Sequence, residues 1–319
     1  MPIVTGLETR NLTVFDFPGI DSAGLYIARN EGLFRKEGLN VSVLSDDVSS
    51  QDTVAKIESG KGQISSGDYV TYMSDFAGQD PNLEIIGEGS VLEPNVLTLM
   101  TGPGSKITSL KQLAGKTLPV SGKNDIANLL IDSVLADNNV PVNSVKYKPD
   151  IKLGNVPSDI ASGMFATGPV PQPFVTIGEQ QLGEAVLADL NQGSTTNFPL
   201  HGYAVTRQWA QQNPNTLKAF VTALDEGQEL ADTERGTLEK TLEGAPLKIA
   251  VGVAAVINTP QFPTDVEPAR IQRVMDEMIQ FNFFTSKKTL AAAKAFDARK
   301  VVYSANLATA SGQSSLLGG

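Results

Sequence analysis

Asn11-Leu-Thr-Val-Phe-Asp-Phe-Pro-Gly-Ile-Asp-Ser-Ala-Gly-Leu-Tyr-Ile-Ala-Arg-Asn-Glu-Gly-Leu-Phe-Arg-Lys-Glu-Gly-Leu-Asn-Val41 is the stretch whose reading decides the fold. Asn11 to Phe17 sets Leu12 and Val14 in alternation among β-branched and aromatic neighbours, the pattern of a buried strand, and Pro18-Gly19 stops it. A helix starts at once. Asp21 or Ser22 is placed to cap it, and Ala23, Tyr26 and Ile27 recur at i, i+3 and i+4 on one face. Gly32 falls where a helix end needs a positive φ, Phe34 to Glu37 makes one more turn closed by Gly38, and Leu39 to Leu44 alternates again as a second strand.

Outward from this unit the rhythm continues as strand and helix in turn. Ser50 to Ser59 reads as a helix stopped by Gly60, Gly62 to Gly67 as a strand, and the residues from Asp68 as another helix, which predicts a mostly parallel sheet covered on both faces. Leu83 to Gly87 and Asn95 to Met100 read as further strands. The pattern then restarts: a turn at 109–116, a strand at 117–120 and a helix over about 124–137. Ile57-Glu-Ser-Gly60 leading to Ile64-Ser-Ser-Gly67 has a counterpart in Ile160-Ala-Ser-Gly163 leading to Ala166-Thr-Gly168, as two similarly built α/β lobes would give. After a returning strand at 203–206 the chain is mainly helical, over about 207–232, 237–243, 268–284 and 287–299. Crossings between the lobes are expected near 97–100 and 201–206, dividing the chain into residues 1–98 plus 205–319 and residues 99–204. The small, polar tail 308–319 is expected to fray.

The 319 residues carry a net charge of −10, a hydrophobic fraction of 41% and no cysteine. That length suits two modest domains. The charge and the lack of any basic block argue against nucleic acid or an anionic membrane as partner. Without cysteine there is no disulfide, thiolate metal site or thiol nucleophile, and the single histidine, His201, excludes a His-rich metal centre. Residues 1–10 show neither the basic start nor the apolar centre of a secretory signal.

No G-x-S-x-G elbow, H-E-x-x-H or Walker A motif is present, and Gly102-Pro-Gly104 is too short for a dinucleotide turn. Neither a cofactor nor a metal is expected, and the chemistry is read as binding. In open α/β sheets ligands sit beyond the carboxyl ends of the strands, where helix N-termini offer free N–H groups. Small polar turns stand at those ends: Gly19-Ile-Asp-Ser22, Ser49-Ser50, Ser65-Ser-Gly67 and Ser121-Gly-Lys-Asn124.

The stretch Gly24 to Phe34 with Glu37 to Val41 resembles the first lobe of the ABC-importer substrate-binding proteins for nitrate, sulfonates, taurine and thiamine-type pyrimidines. Ile107-Thr-Ser-Leu-Lys-Gln-Leu-Ala-Gly-Lys-Thr-Leu-Pro-Val120 is similar to the segment that opens their second lobe, and Pro171-Gln-Pro-Phe174 to the one that returns to the cleft. The resemblance covers roughly residues 11 to 206. It implies a type II periplasmic-binding-protein fold: two α/β lobes with mixed sheets flanked by helices, joined by two crossovers and closing like a hinge. Two aspartates that the family often carries before its strands are absent, since the chain has Gly62-Gln-Ile64 and Met164-Phe-Ala166. The cysteine run of the related eukaryotic pyrimidine-forming enzyme is absent too.

Carried over by position, the resemblance implies ligand contacts from Gly19, Ile20, Asp21, Ser49, Ser50, Ser66, Gly67, Asp68, Asn95, Ser121, Lys123, Asn124, Pro173, Phe174, His201 and Tyr203. Phe174 and Tyr203 would wall the ligand, and Asp21 and Asp68 would pair with a cationic or hydrogen-bond-donating group. With only Lys123 set against Asp21, Asp68 and Asp125, a neutral, zwitterionic or partly cationic ligand is favoured over sulfonate or nitrate. An ABC permease is the implied partner. The protein is expected to be a monomer and, by the resemblance, periplasmic or extracellular; a lipid-bearing cysteine upstream would tether it to the outer face of the membrane. The alternatives are an enzyme on the same fold acting on a small acid, such as a decarboxylase or lyase, and a ligand-sensing module.

Overall fold

The computed structural model describes residues 6–45, 49–78 and 81–303; the tail expected to fray lies outside them. β1 (Asn11–Asp16) pairs in parallel with β2 (Asn40–Leu44) and with β3 (Ile64–Asp68). Between β1 and β2 lie a 3-10 turn, Ile20–Ser22, the helix α1 (Ala23–Asn30) and the single turn α2 (Leu33–Lys36). Gly32 (φ 73°) and Gly38 (φ 80°) both adopt the left-handed conformation, which lets the chain reverse twice within a few residues and lay β2 beside β1. α3 (Ser50–Glu58) leads into β3, and α4 (Tyr69–Phe76) leaves it for β4 (Leu83–Val91).

The chain then enters a second sheet. β5 (Leu97–Thr101) lies between β8 (Thr167–Pro171) and β9 (Ala185–Asp189), antiparallel to both, while β6 (Thr117–Pro119) and β7 (Lys146–Lys148) form a separate parallel pair. These strands are covered by α5 (Ile126–Asp137), α6 (Val156–Ala161) and α7 (Phe174–Ile177). The repeat seen in the sequence is structural: α3 and α6 each run out to a glycine of positive φ, Gly60 and Gly163, ahead of β3 and β8.

β10 (Pro199–Thr206) returns to the first sheet and inserts between β3 and β4, antiparallel to each, giving the order β2-β1-β3-β10-β4. That sheet is therefore mixed, and less parallel than the βαβ rhythm predicts. The segments expected as crossings, 97–100 and 201–206, are themselves strands within the two sheets. The chain passes between sheets at 92–96 and 190–198, and the two passages touch where Leu92 N–H donates to the Phe198 carbonyl (2.8 Å).

The remaining helices are α8 (Arg207–Gln212), α9 (Pro214–Thr233), α10 (Arg235–Glu243), α11 (Val251–Ala254), α12 (Pro268–Gln280) and α13 (Lys287–Lys294). The single helix expected over 207–232 is broken at Asn213 because a residue before proline is driven out of the helical region; Pro214 opens α9 instead. α9 crosses α1 closely at Gly24 and Gly227, and α2 is held by the stacked rings of Phe34 and Phe220, 5.0 Å apart. α12 buries Ile271, Val274, Met275 and Met278, a stripe at i, i+3, i+4 and i+7, in a core that also takes in Leu129, Ile131 and Leu135 of α5 and Tyr72 and Met73 of α4. No described helix is long and apolar enough to cross a membrane.

Burial holds several carboxyls well above their ordinary range, three of them near neutrality or beyond. Burial, then the Asp265 charge, pushes Asp225 up to about 8. Burial pushes Glu184 up to about 7, and Glu88 to about 7 against the opposing pull of Arg270. A carboxyl that holds its proton more tightly folded than unfolded stabilises at low pH and loses that contribution as pH rises through its folded value. The melting temperature should therefore fall as pH rises from about 5 to about 8, from the unfolded carboxyl values to the folded ones, and Asp225→Asn should flatten the upper part of the fall. Identical melts across that window would show that these carboxyls are ionised throughout.

Candidate functional site

β1 ends on an acid. Asp16 faces Ser66 of β3 in the parallel register, and Ser66 faces Tyr203 of β10, so the carboxyl ends of the parallel strands meet the start of the returning one. Asp16 is fully buried and its carboxylate gathers hydroxyls. Ser22 Oγ (2.7 Å) and Ser66 Oγ (2.6 Å) donate to Oδ1, and the Tyr26 hydroxyl donates to Oδ2. Such charge-assisted bonds are about twice as strong as neutral ones. The Tyr26 hydroxyl is pushed well above its ordinary range by burial and then by the Asp16 charge, so it remains a donor.

His201 Nε2 lies 3.1 Å from Ser66 Oγ. The single Ser66 proton goes to Asp16, so His201 is the donor of this bond and carries its hydrogen on Nε2. Burial lowers the His201 pKa to about 4, overriding the opposing charges of Asp16 and Asp68, so the ring is neutral at pH 7. The serine therefore points its proton away from the histidine. A Ser-His-Asp nucleophile needs the reverse arrangement, with histidine accepting from serine and the acid behind the histidine.

The 3-10 turn corrects the expected capping. Neither Asp21 nor Ser22 caps α1: Ser22 turns inward to Asp16, and Asp21 Oδ1 accepts from Ser90 Oγ (2.6 Å) near the end of β4. Burial pushes the Asp21 carboxyl up and the Ser90 bond pulls it back. Gly19 precedes this turn in an extended conformation, and the Ile20 side chain is buried beside Ile27 and Phe262. Ser49 caps α3 by accepting from Asp52 N–H, and Ser50 Oγ accepts from Asp68 N–H (3.0 Å). A Cβ on Gly67 would stand 2.9 Å from Ser50 Cβ, so only glycine lets β3 and α3 meet there. Asp68 caps α4, its carboxylate accepting from Thr71 N–H and Oγ1 (2.9 Å each).

The candidates in the second unit and in the passage that leads to it are placed apart from Asp16 and its hydroxyls. Asn95, in the left-handed conformation (φ 61°), sits in the first passage between sheets, where its N–H donates to Asp189 and its carbonyl accepts from Gln172. Ser121 is turned to Asp125, Lys123 is exposed, and Asn124 (φ 58°) completes that turn. Pro173 follows a cis peptide bond. Phe174 is half-buried, with its ring against Gly154. Tyr203, expected to wall a ligand, stays beside the acid: it pairs with Ser66, and its ring is fully buried in a core cluster with Leu12, Leu25 and Phe220, with His201 edge-on at 5.4 Å. Burial and then the Asp16 charge push its hydroxyl well above its ordinary range.

The residues that sequence reasoning missed are Asp16, Ser22 as a ligand of that carboxylate, Tyr26 through its hydroxyl, and Ser90. A signal for Asp16 was present: an acid closing an otherwise apolar strand needs partners on folding. Beside it Phe17 leaves 42% of its surface exposed and Leu44, at the matching end of β2, 45%. Among the described residues no group of three or more His, Cys, Asp or Glu could hold a metal ion.

Two α/β units linked by two passages, with polar groups collected at the strand ends, define a periplasmic-binding-protein fold. The profile of the family described as NMT1/THI5 like matches residues 20–234, and the chain belongs to that family. Among solved structures, the periplasmic nitrate-binding protein NrtA from Synechocystis PCC 6803 superposes with a TM-score of 0.75 at 16% identity, over 97% of this chain and 90% of that one. The periplasmic aliphatic sulphonate-binding protein SsuA of Escherichia coli gives 0.72 at 16% identity, over 90% and 92%. A Candida albicans protein of the generic periplasmic-binding-protein fold gives 0.73 at 14% identity, over 92% and 96%. At such identities the likeness carries the fold. Comparison with curated proteins gives no match.

Proposed function

We propose that this protein is an extracytoplasmic solute-binding protein that captures a small organic molecule between two lobes and hands it to an ABC import permease. The lobes would be the units built on the two sheets, the first made of residues up to 91 and from 199 onward, and the second of 97–189. The carrying observation is the Asp16 carboxylate, set at the strand ends with the hydroxyls of Ser22, Tyr26 and Ser66 donating to it. Fixed donors and acceptors of this kind recognise a ligand without reacting with it, and the proton order from His201 through Ser66 to Asp16 favours binding over the enzymatic alternative.

The charge of the site favours a neutral, zwitterionic or cationic ligand. Asp16, Asp21 and Asp68 lie at or near the strand ends, His201 is neutral, and Arg29 is taken up by the Tyr26 ring (5.2 Å) and the Ala245 carbonyl. Phe17 offers an aromatic face at the rim. A thermal-shift panel of aminopyrimidines, amino-acid derivatives, aromatic acids, alkanesulfonates and nitrate tests this. A compound at about 100 times its dissociation constant stabilises by about 2.7 kcal/mol. Amine-bearing compounds should raise the melting temperature and nitrate and sulfonates should not. Stabilisation by the oxoanions alone would overturn the charge reading, and no stabilisation by any compound would overturn the binding reading.

A further inference from the structure

β2 ends the first sheet, and its outer side is bare. Among the described residues no strand or bridge pairs with that side, whereas the opposite edge of the sheet is closed: β4 is bridged at Ile85 by Val302 and at Val91 by Gln261. β7, an edge in the second unit, presents exposed Lys146 and Lys148, charged guards of the kind that keep edges from pairing. β2 reads Asn40-Val-Ser-Val-Leu44 and carries neither charge nor proline.

Successive residues of a strand turn their backbone groups to opposite edges. Asn40 N–H donates to the Arg10 carbonyl on the β1 side, so Val41 and Val43 direct their N–H and C=O groups outward. The side chains of Asn40, Ser42 and Leu44 are exposed, while Val41 and Val43 are half-buried against the core of the first unit. Val41-Ser42-Val43 reads the same in either direction. A twofold axis at Ser42 therefore sets Val41 of each copy against Val43 of the other, every such pair exchanging both of its backbone hydrogen bonds. Charge follows the same symmetry. An antiparallel pair brings the side that follows the strand, Asp46-Asp47 in sequence, toward the side that precedes it, where Arg35 and Lys36 outnumber Glu37. A parallel pair would set like against like.

We propose that β2 is the interface for a second copy of this chain, antiparallel about Ser42, so that the two first sheets join into one. This dimer stands in place of the expected monomer. With five residues on each side the contact is small, so the dimer is weak and exchanges with monomer.

Sedimentation velocity of the full chain at about 100 μM should show a species of twice 33.8 kDa that dissociates on dilution. Ser42→Lys or Ser42→Glu sets like charges directly opposite each other across the axis and should weaken the dimer at least about tenfold. Melting temperatures should stay near wild type, because Ser42 is exposed. An equimolar mixture of the two variants should restore the dimer, since each lysine then meets a glutamate; neither misfolding nor a contact elsewhere would produce that rescue. The chain has no cysteine, so Ser42→Cys carries a lone thiol. Across the axis its Cβ atoms stand about 4.5 Å apart, within reach of a disulfide. Mild oxidation should link Ser42→Cys into a dimer and leave Gln180→Cys, equally exposed to solvent, unlinked. Monomeric wild type at that concentration, an undiminished dimer in both charge variants, a mixture no tighter than either variant alone, or equal cross-linking at the two cysteines would overturn the proposal.

Discussion

Asp16→Ala should unfold at markedly lower denaturant than wild type, a loss of about 4 kcal/mol. The substitution removes the acceptor for Ser22, Tyr26 and Ser66, all fully buried, and a buried donor left without a partner costs about 1–3 kcal/mol. Local rearrangement recovers part of the sum, because Ser22 and Ser66 already lie 3.4 Å apart and can bond each other. Asp16→Asn separates stability from recognition. The amide keeps the volume and an acceptor oxygen, so it should cost only about 1–2 kcal/mol, whereas a cationic ligand should bind at least tenfold more weakly. Urea melts and calorimetric titration with the best compound of the panel measure the two effects. An alanine variant within about 0.5 kcal/mol of wild type would mean that water satisfies the hydroxyls and that Asp16 does not organise them.

The second large effect belongs to the crossing of α1 and α9. Gly227→Ala should destabilise by about 3 kcal/mol, at the upper end of overpacking costs. Its Cβ would stand 2.4 Å from the Gly24 carbonyl oxygen and 2.8 Å from Ala28 Cβ, and a backbone carbonyl cannot turn aside as a side chain can. α1 and α9 would have to part, and α1 carries Tyr26. The same change at Gly236 in α10, where a Cβ meets nothing within 4 Å, should be neutral or slightly stabilising. Thermal melts of the pair separate close packing from helix propensity, and equal values would refute the close-approach argument.

Elements that depend on near neighbours were legible in the sequence. β1, α1 and the two glycine stops follow from alternation, the i, i+3, i+4 spacing and positive φ, and the matched exits at Gly60 and Gly163 follow from the same chemistry. Pro214 is a local signal that outweighs periodicity: it splits the helix that apolar spacing alone would draw through it. The antiparallel course of β10 was not legible, because nothing within Pro199–Thr206 states which strands will flank it. The site divides in the same way. The turns at Gly19–Ser22, Ser49–Ser50, Ser65–Gly67 and Ser121–Asn124 could be found by composition, but the work of each side chain could not. Ser22 looks like a helix cap and instead serves a carboxylate, and Tyr203 buries its ring in the core beside Ser66.

The sequence by itself determined the α/β unit, the places where helices stop, the absence of thiol chemistry and the negative charge, since each is set by composition or by residues within a turn or two of one another. Only the tertiary structure decided that Asp16 would collect Ser22, Tyr26 and Ser66, that His201 would be neutral and give its hydrogen to Ser66, and that α12 would bind both units. The physical reason is that a buried carboxylate and a desolvated imidazole draw their energies from hydrogen-bond partners up to 135 residues away in the chain, which burial, and no local pattern, brings within reach.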